Sequence, residues 1–143
     1  MLFRSDPQHS VRWQPTVSYA SCDGKVAVNT GNWQRHDGSV GYFTTVWTTQ
    51  PNGAWKWTVD HGDVLAEPRA APVVPATVRA QCTGKPGPPP RIAYRAGPSG
   101  YGTSPDGTLA WEWHSLGTRD VDAWLWDGAR FVQVIADSVA APK

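Results

Sequence analysis

Residues 26–63 read VAVNTGNWQRHDGSVGYFTTVWTTQPNGAWKWTVDHGD, and the fold turns on this stretch. Three runs rich in Val, Thr, Tyr, Phe and Trp (Val26–Gln34, Val40–Gln50 and Ala54–His61) are separated by Asp37-Gly38 and Asn52-Gly53. β-Branched and aromatic side chains suit a pleated, half-buried surface. Asp-Gly and Asn-Gly between such runs are strong hairpin signals, because a type I′ turn needs positive φ at both central positions. The stretch therefore predicts three antiparallel strands. Strict alternation places Trp55, Trp57, Val59 and His61 on one face of the third, and Lys56, Thr58 and Asp60 on the other. In the second, Phe43, Thr45 and Trp47 oppose Tyr42, Thr44 and Val46. Bulk on both faces predicts a central strand covered on both sides.

Upstream, Met1–Ser10 is polar, and Val11–Ala20 reads as a strand interrupted by Pro15, the mark of an edge or a bulge. Period two puts Trp13, Val17 and Tyr19 on one face. Gly31 marks a bulge or a close backbone approach. Downstream, nine of the 13 prolines fall between Pro68 and Pro105. Val64–Pro105 is read as a long surface connection with extended pieces at Ala76–Cys82 and Arg91–Tyr94, a polyproline II signal at Pro88-Pro89-Pro90, and a flexible tip at Gly97–Ser104. Strands resume at Thr108–Ser115, Val121–Trp126 and Ala129–Ala136, with a hairpin turn at Asp127-Gly128. Turn, strand, turn and terminal Asp recur here in the order of the first half. Two ordinary β-meanders account for that better than an internal repeat. No segment has helical periodicity, so the chain reads as mainly β, in antiparallel meanders with about eight strands. The divisions are 1–63, a connection 64–105, and a C-terminal meander 106–143 packing on or beside the first sheet.

The 143 residues suit one domain able to bury about two-thirds of its unfolded surface. A net charge of +1 with interspersed signs argues against a nucleic-acid surface. No apolar run reaches the ~18 residues of a membrane span, and Met1–Ser10 lacks the apolar core of a signal peptide. Nine Trp residues carry much of the apolar area. They suit a sheet with one wet face, or a platform for sugar rings. Cys22 and Cys82 form no CxxC or Cys/His cluster, so no metal is expected. Two readings stay open for them: a disulfide, which would imply an oxidising compartment, or two separate buried thiols.

Trp13-x-Pro15, Asn29-Thr30-Gly31-Asn32-Trp33, Gly41–Trp47 and Asn52–Gly62 together resemble the C-terminal half of the nuclear transport factor 2-like superfamily, closest to small bacterial SnoaL-like or ketosteroid-isomerase-like domains. The resemblance covers about Val11–Asp63. It implies an α+β cone, a bent sheet wrapped around N-terminal helices, followed here by a C-terminal β extension. The helices have no counterpart in this chain, which implies a truncated start with helices, and an export signal if the protein is periplasmic or secreted, lying upstream. The family's general base sits in that missing half.

On this resemblance the chain binds a small apolar or amphipathic molecule in the sheet's concavity, lined by Trp33, Phe43, Trp47, Trp57 and His61, without a cofactor. Its runner-up is an isomerase or cyclase using His61 as acid/base, since imidazole titrates near neutrality. A strand-end His satisfying local structure is the plainer reading of His61. The alternative class is an exported Trp-rich β-module that binds glycan or protein, and a purely structural envelope protein is a third. The pairs Trp55/Trp57, Trp111/Trp113 and Trp124/Trp126 each share a face, and core packing is favoured for at least two of them. Glu112 and His114 share a face too, as two ligands of a metal site would, but no third ligand is visible, and a solvated strand face is favoured. An exposed aromatic sheet face would also suit a homodimer.

Overall fold

The computed structural model describes residues 10–92 and 96–140. Among them are nine strands and no helix: β1 Arg12–Ala20, β2 Val26–Gln34, β3 Val40–Thr49, β4 Trp55–Leu65, β5 Ala76–Arg79, β6 Ser99–Thr103, β7 Leu109–Leu116, β8 Thr118–Trp126 and β9 Phe131–Ala140. They form a five-stranded sheet, β4-β3-β2-β1-β5, and a four-stranded sheet, β6-β7-β8-β9. Pairing is antiparallel except where β5 lies parallel to β1. No described helix is long and apolar enough to cross a membrane.

The two sheets face one another across a single core. Val26, Val28 and Val46 of the first sheet meet Leu109, Val121, Ala123, Leu125 and Ile135 of the second. Small branched side chains fill this layer, and most Trp residues stand at its margins or outside it.

The turns differ from the type I′ expectation. Among the described residues only glycines have positive φ. Gly38 N–H bonds Arg35 C=O and Gly53 N–H bonds Gln50 C=O, so each Gly follows a tight turn whose central residues keep negative φ. This three-residue loop with a left-handed Gly suits the twist of the flanking strands equally well.

The two halves are built alike, against the expectation of two unrelated meanders. Ser21 Oγ donates to Asp23 Oδ1 at 2.6 Å and accepts from Val26 N–H. Ser104 Oγ donates to Asp106 Oδ1 at 2.6 Å and accepts from Leu109 N–H. β3 and β4 slip register between Val46 and Trp47, with Thr58 unpaired. β8 and β9 slip at the corresponding place, between Ala123 and Trp124, with Val134 unpaired. A shared turn chemistry and a shared bulge mark an internal structural repeat, to which β5 is an addition.

Gly97–Ser104, expected to be a flexible tip, contains β6. Gly100 and Gly102 lie opposite Trp113 and Trp111, and a Cβ at either glycine would meet the facing indole within 2.6 Å. The glycines make room for two large rings. Tyr94, the end of another expected extended piece, lies outside the described residues; Arg91 and Ile92 are not strand.

Cys22 and Cys82 stand at disulfide distance, with Cα atoms 5.4 Å apart. The link closes 60 residues and fastens the turn after β1 to the segment after β5. That segment is stitched to both sheets: Ala80 N–H bonds Ala20 C=O, Gln81 N–H bonds Trp126 C=O, and Trp126 Nε1 donates to Thr83 C=O at 2.8 Å.

Candidate functional site

Two bulges decide which side chains meet. In β1, Pro15 pairs with Gly31 but Val17 pairs with Thr30, leaving Thr16 unpaired. Trp13 therefore faces away from the second sheet while Tyr19 packs on the core. In β4, the unpaired Thr58 separates Trp57, paired with Trp47, from Val59, paired with Val46. Trp57 and Asp60 consequently share the outer face, and Val59 and His61 point inward. Both predicted face assignments, Trp13 with Val17 and Tyr19, and His61 with Trp55 and Trp57, are overturned by one extra residue in each strand.

The expected pocket accordingly divides. Trp33, Phe43, Trp47 and Trp57 lie on the outer face of the first sheet, and His61 lies on the inner one. The inner face is covered by the second sheet. On the outer face a groove of about 280 Å³ is lined by Trp13, Asn29, Phe43, Thr45, Trp47, Trp57 and Asp60. Trp57 is 63% exposed, Trp13 57% and Trp55 47%, whereas Trp33 is 8% exposed. Trp33 lies beside the groove with its Nε1 donating to Tyr42 C=O at 3.0 Å and the Arg35 guanidinium 4.5 Å above its ring. Trp13 meets Phe43 edge to face at 5.1 Å. The polar groups of the groove are already oriented: Thr45 Oγ1 donates to Asp60 Oδ1 at 3.0 Å, and Ser18 Oγ to Asn29 Oδ1 at 2.6 Å. The outer face thus offers exposed indoles beside a fixed carboxylate and amide.

The inner polar residues form a second constellation. Thr44, fully buried, donates to Asp137 Oδ2 at 2.7 Å across the sheets. Arg69 pairs with Asp137 Oδ1 at 3.0 Å and lies 3.6 Å over the Tyr42 ring. The Tyr42 hydroxyl stands 3.0 Å from His61 Nε2. Burial, with Asp137 next, pushes the Tyr42 pKa up to about 12, so the phenol keeps its proton beside the ring. Burial also lowers the His61 pKa, helped by Arg119 and opposed by Asp137 and Asp120.

Of the three Trp pairs, Trp124 and Trp126 are buried, Trp111 and Trp113 are half-buried against the core, and Trp55 and Trp57 are exposed. Glu112 and His114 do share a face, but it is not a solvated one. Glu112 is 1% exposed and accepts from Ile92 N–H at 3.0 Å, His114 Nε2 at 2.9 Å and Arg91 Nε at 3.5 Å, which holds the Pro-rich segment against the second sheet. Among the described residues no three His, Cys, Asp or Glu side chains cluster as metal ligands would.

Sequence reasoning missed Trp13, Asn29, Thr45 and Asp60 on the groove and Tyr42, Arg69 and Asp137 in the inner network. Pro15 signalled the first bulge. The inner network joins residues far apart in sequence and carries no local signal. No protein-family model matches the chain, and no curated protein or solved structure matches it either.

Proposed function

We propose that this chain is a carbohydrate-binding module whose ligand lies on the outer face of the five-stranded sheet. The observation that carries the reading is the groove of exposed Trp13 and Trp57 with Asn29, Thr45 and Asp60 along it. A β-linked pyranose presents a flat C–H face to an indole and a rim of hydroxyls to a carboxylate and an amide. Ligand sites combine concave apolar walls with a few convergent polar groups. Large exposed aromatics are otherwise unfavourable on a soluble surface and mark interaction sites. A second copy of the chain would fit an apolar face but would gain little from a polar floor. The Cys22–Cys82 pair is compatible with an oxidising compartment, and a secreted or periplasmic location belongs to this proposal.

The resemblance to nuclear transport factor 2-like domains supports a small apolar ligand instead, and four of the five residues expected to line its pocket, Trp33, Phe43, Trp47 and Trp57, lie on this same outer face. The carboxylate and amide along the groove favour a hydroxyl-rich ligand over it. The test is calorimetry with cellohexaose and chitohexaose. Binding of either, weakened roughly tenfold by Trp13→Ala and by Trp57→Ala, supports the reading. Absence of binding to both, with a dimer seen by ultracentrifugation that Trp57→Ala dissociates, replaces it with self-association.

A further inference from the structure

We propose that the cleft between edge strand β4 and the β7–β8 hairpin is a second ligand site, and that it takes a small aromatic carboxylate. The cleft measures about 380 Å³, within the range of small-ligand sites. Indoles of Trp57 and Trp113 and the side chains of Val59 and Val121 line it, together with His61, Ser115 and Arg119. Flat apolar walls suit an aromatic ring.

Arg119 selects the ligand's polar end. Two carboxylates also border the cleft and keep their charge, but hydroxyl donors hold their oxygens. Asp60 accepts from Thr45 on the outer face, and Asp120 accepts from Ser138 at 2.6 Å and Thr118 at 3.1 Å. Arg119 borders the cleft opposite Ser115 in the ladder, with an exposed side chain. A guanidinium offers paired N–H donors that match a carboxylate. His61 adds a polar group to the same wall, with its Nε2 3.0 Å from the Tyr42 hydroxyl.

The experiment is calorimetry of the full chain with 2-naphthoate and with 2-naphthamide, which has the same ring and no charge. The acid is expected to bind at least about tenfold more tightly, and Arg119→Gln, at an exposed position that leaves thermal melting unchanged, should erase the difference. Trp13→Ala should leave naphthoate binding intact, which separates this site from the carbohydrate groove. Equal binding of acid and amide, no binding of either at millimolar concentration, a preference that survives Arg119→Gln, or a loss with Trp13→Ala would each overturn the proposal.

Discussion

Asp23 and Asp106 hold each other's backbone. The Asp23 N–H donates to Asp106 Oδ2 at 2.8 Å, and the Asp106 N–H donates to Asp23 Oδ2 at 3.2 Å. Each aspartate also closes its own turn, so the equivalent turns of the two halves lock reciprocally where the sheets join. Hydrogen bonds to charged groups contribute about 1.5–3 kcal/mol each. Asp106→Ala is expected to lower stability by about 2–3 kcal/mol in urea unfolding. Each substitution removes a different one of the two bonds, and the double variant with Asp23→Ala should fall short of the summed single losses by about 1 kcal/mol because each carboxylate also orders the turn whose N–H the other one holds.

Acid should act through this joint. Burial raises the Asp106 carboxyl, but hydrogen bonds from Ser104, Thr108 and the Asp23 N–H outweigh it and hold its pKa below the ordinary carboxylate value. A depressed folded pKa gives stability that is present above the unfolded value, near 3.9, and lost as pH falls through the folded one. The urea midpoint of the natural chain should therefore drop below about pH 4 more steeply than that of Asp106→Asn. His61 adds a limb at higher pH. Its lowered pKa means the unfolded chain takes up the proton first, so stability declines as pH falls below about 6.5. His61→Gln should flatten that part of the profile.

Gly41 is fixed by contact. A Cβ there would lie 2.2 Å from the Trp33 ring and 2.2 Å from the Asp63 carbonyl oxygen. Neither can retreat, since Trp33 is buried and Asp63 belongs to the paired strand. Gly41→Ala should cost at least about 1–3 kcal/mol by overpacking, read as a lower urea midpoint with an unchanged slope.

Reduction should loosen the whole chain. A cross-link closing a loop of 60 residues stabilises by about 4 kcal/mol on the chain-entropy account. Thermal melting with and without a phosphine reductant should show a large fall for the natural chain and none for Cys22→Ser/Cys82→Ser, which should start at the reduced value.

The hairpins, the interior place of β3 and the antiparallel meanders were legible because Asp-Gly, Asn-Gly and period-two runs are local signals, but the cover expected on both faces of β3 is found on one, its other face lining the groove. Side-chain faces were less so. Thr58 sits in an unbroken Trp-Lys-Trp-Thr-Val run, and nothing local says that it is skipped by its partner strand. One unpaired residue then moves Trp57 to the side opposite His61 and divides the expected pocket. Pro15 did announce a bulge, but alternation carried across it still misplaced Trp13. The glycines of β6 read as flexibility because the indoles they accommodate come from the next strand. Glu112 read as solvated because Ile92 and Arg91, which cover it, arrive from a proline-rich connection with no pattern of its own.

The most direct test of the carbohydrate reading is the indole N–H region of an assigned proton–nitrogen NMR spectrum during titration with cellohexaose or chitohexaose. The account predicts shifts at Trp13, Trp47 and Trp57 while the buried Trp124 and Trp126 stay fixed. Saturating oligosaccharide that leaves the three outer-face indoles unmoved would contradict it.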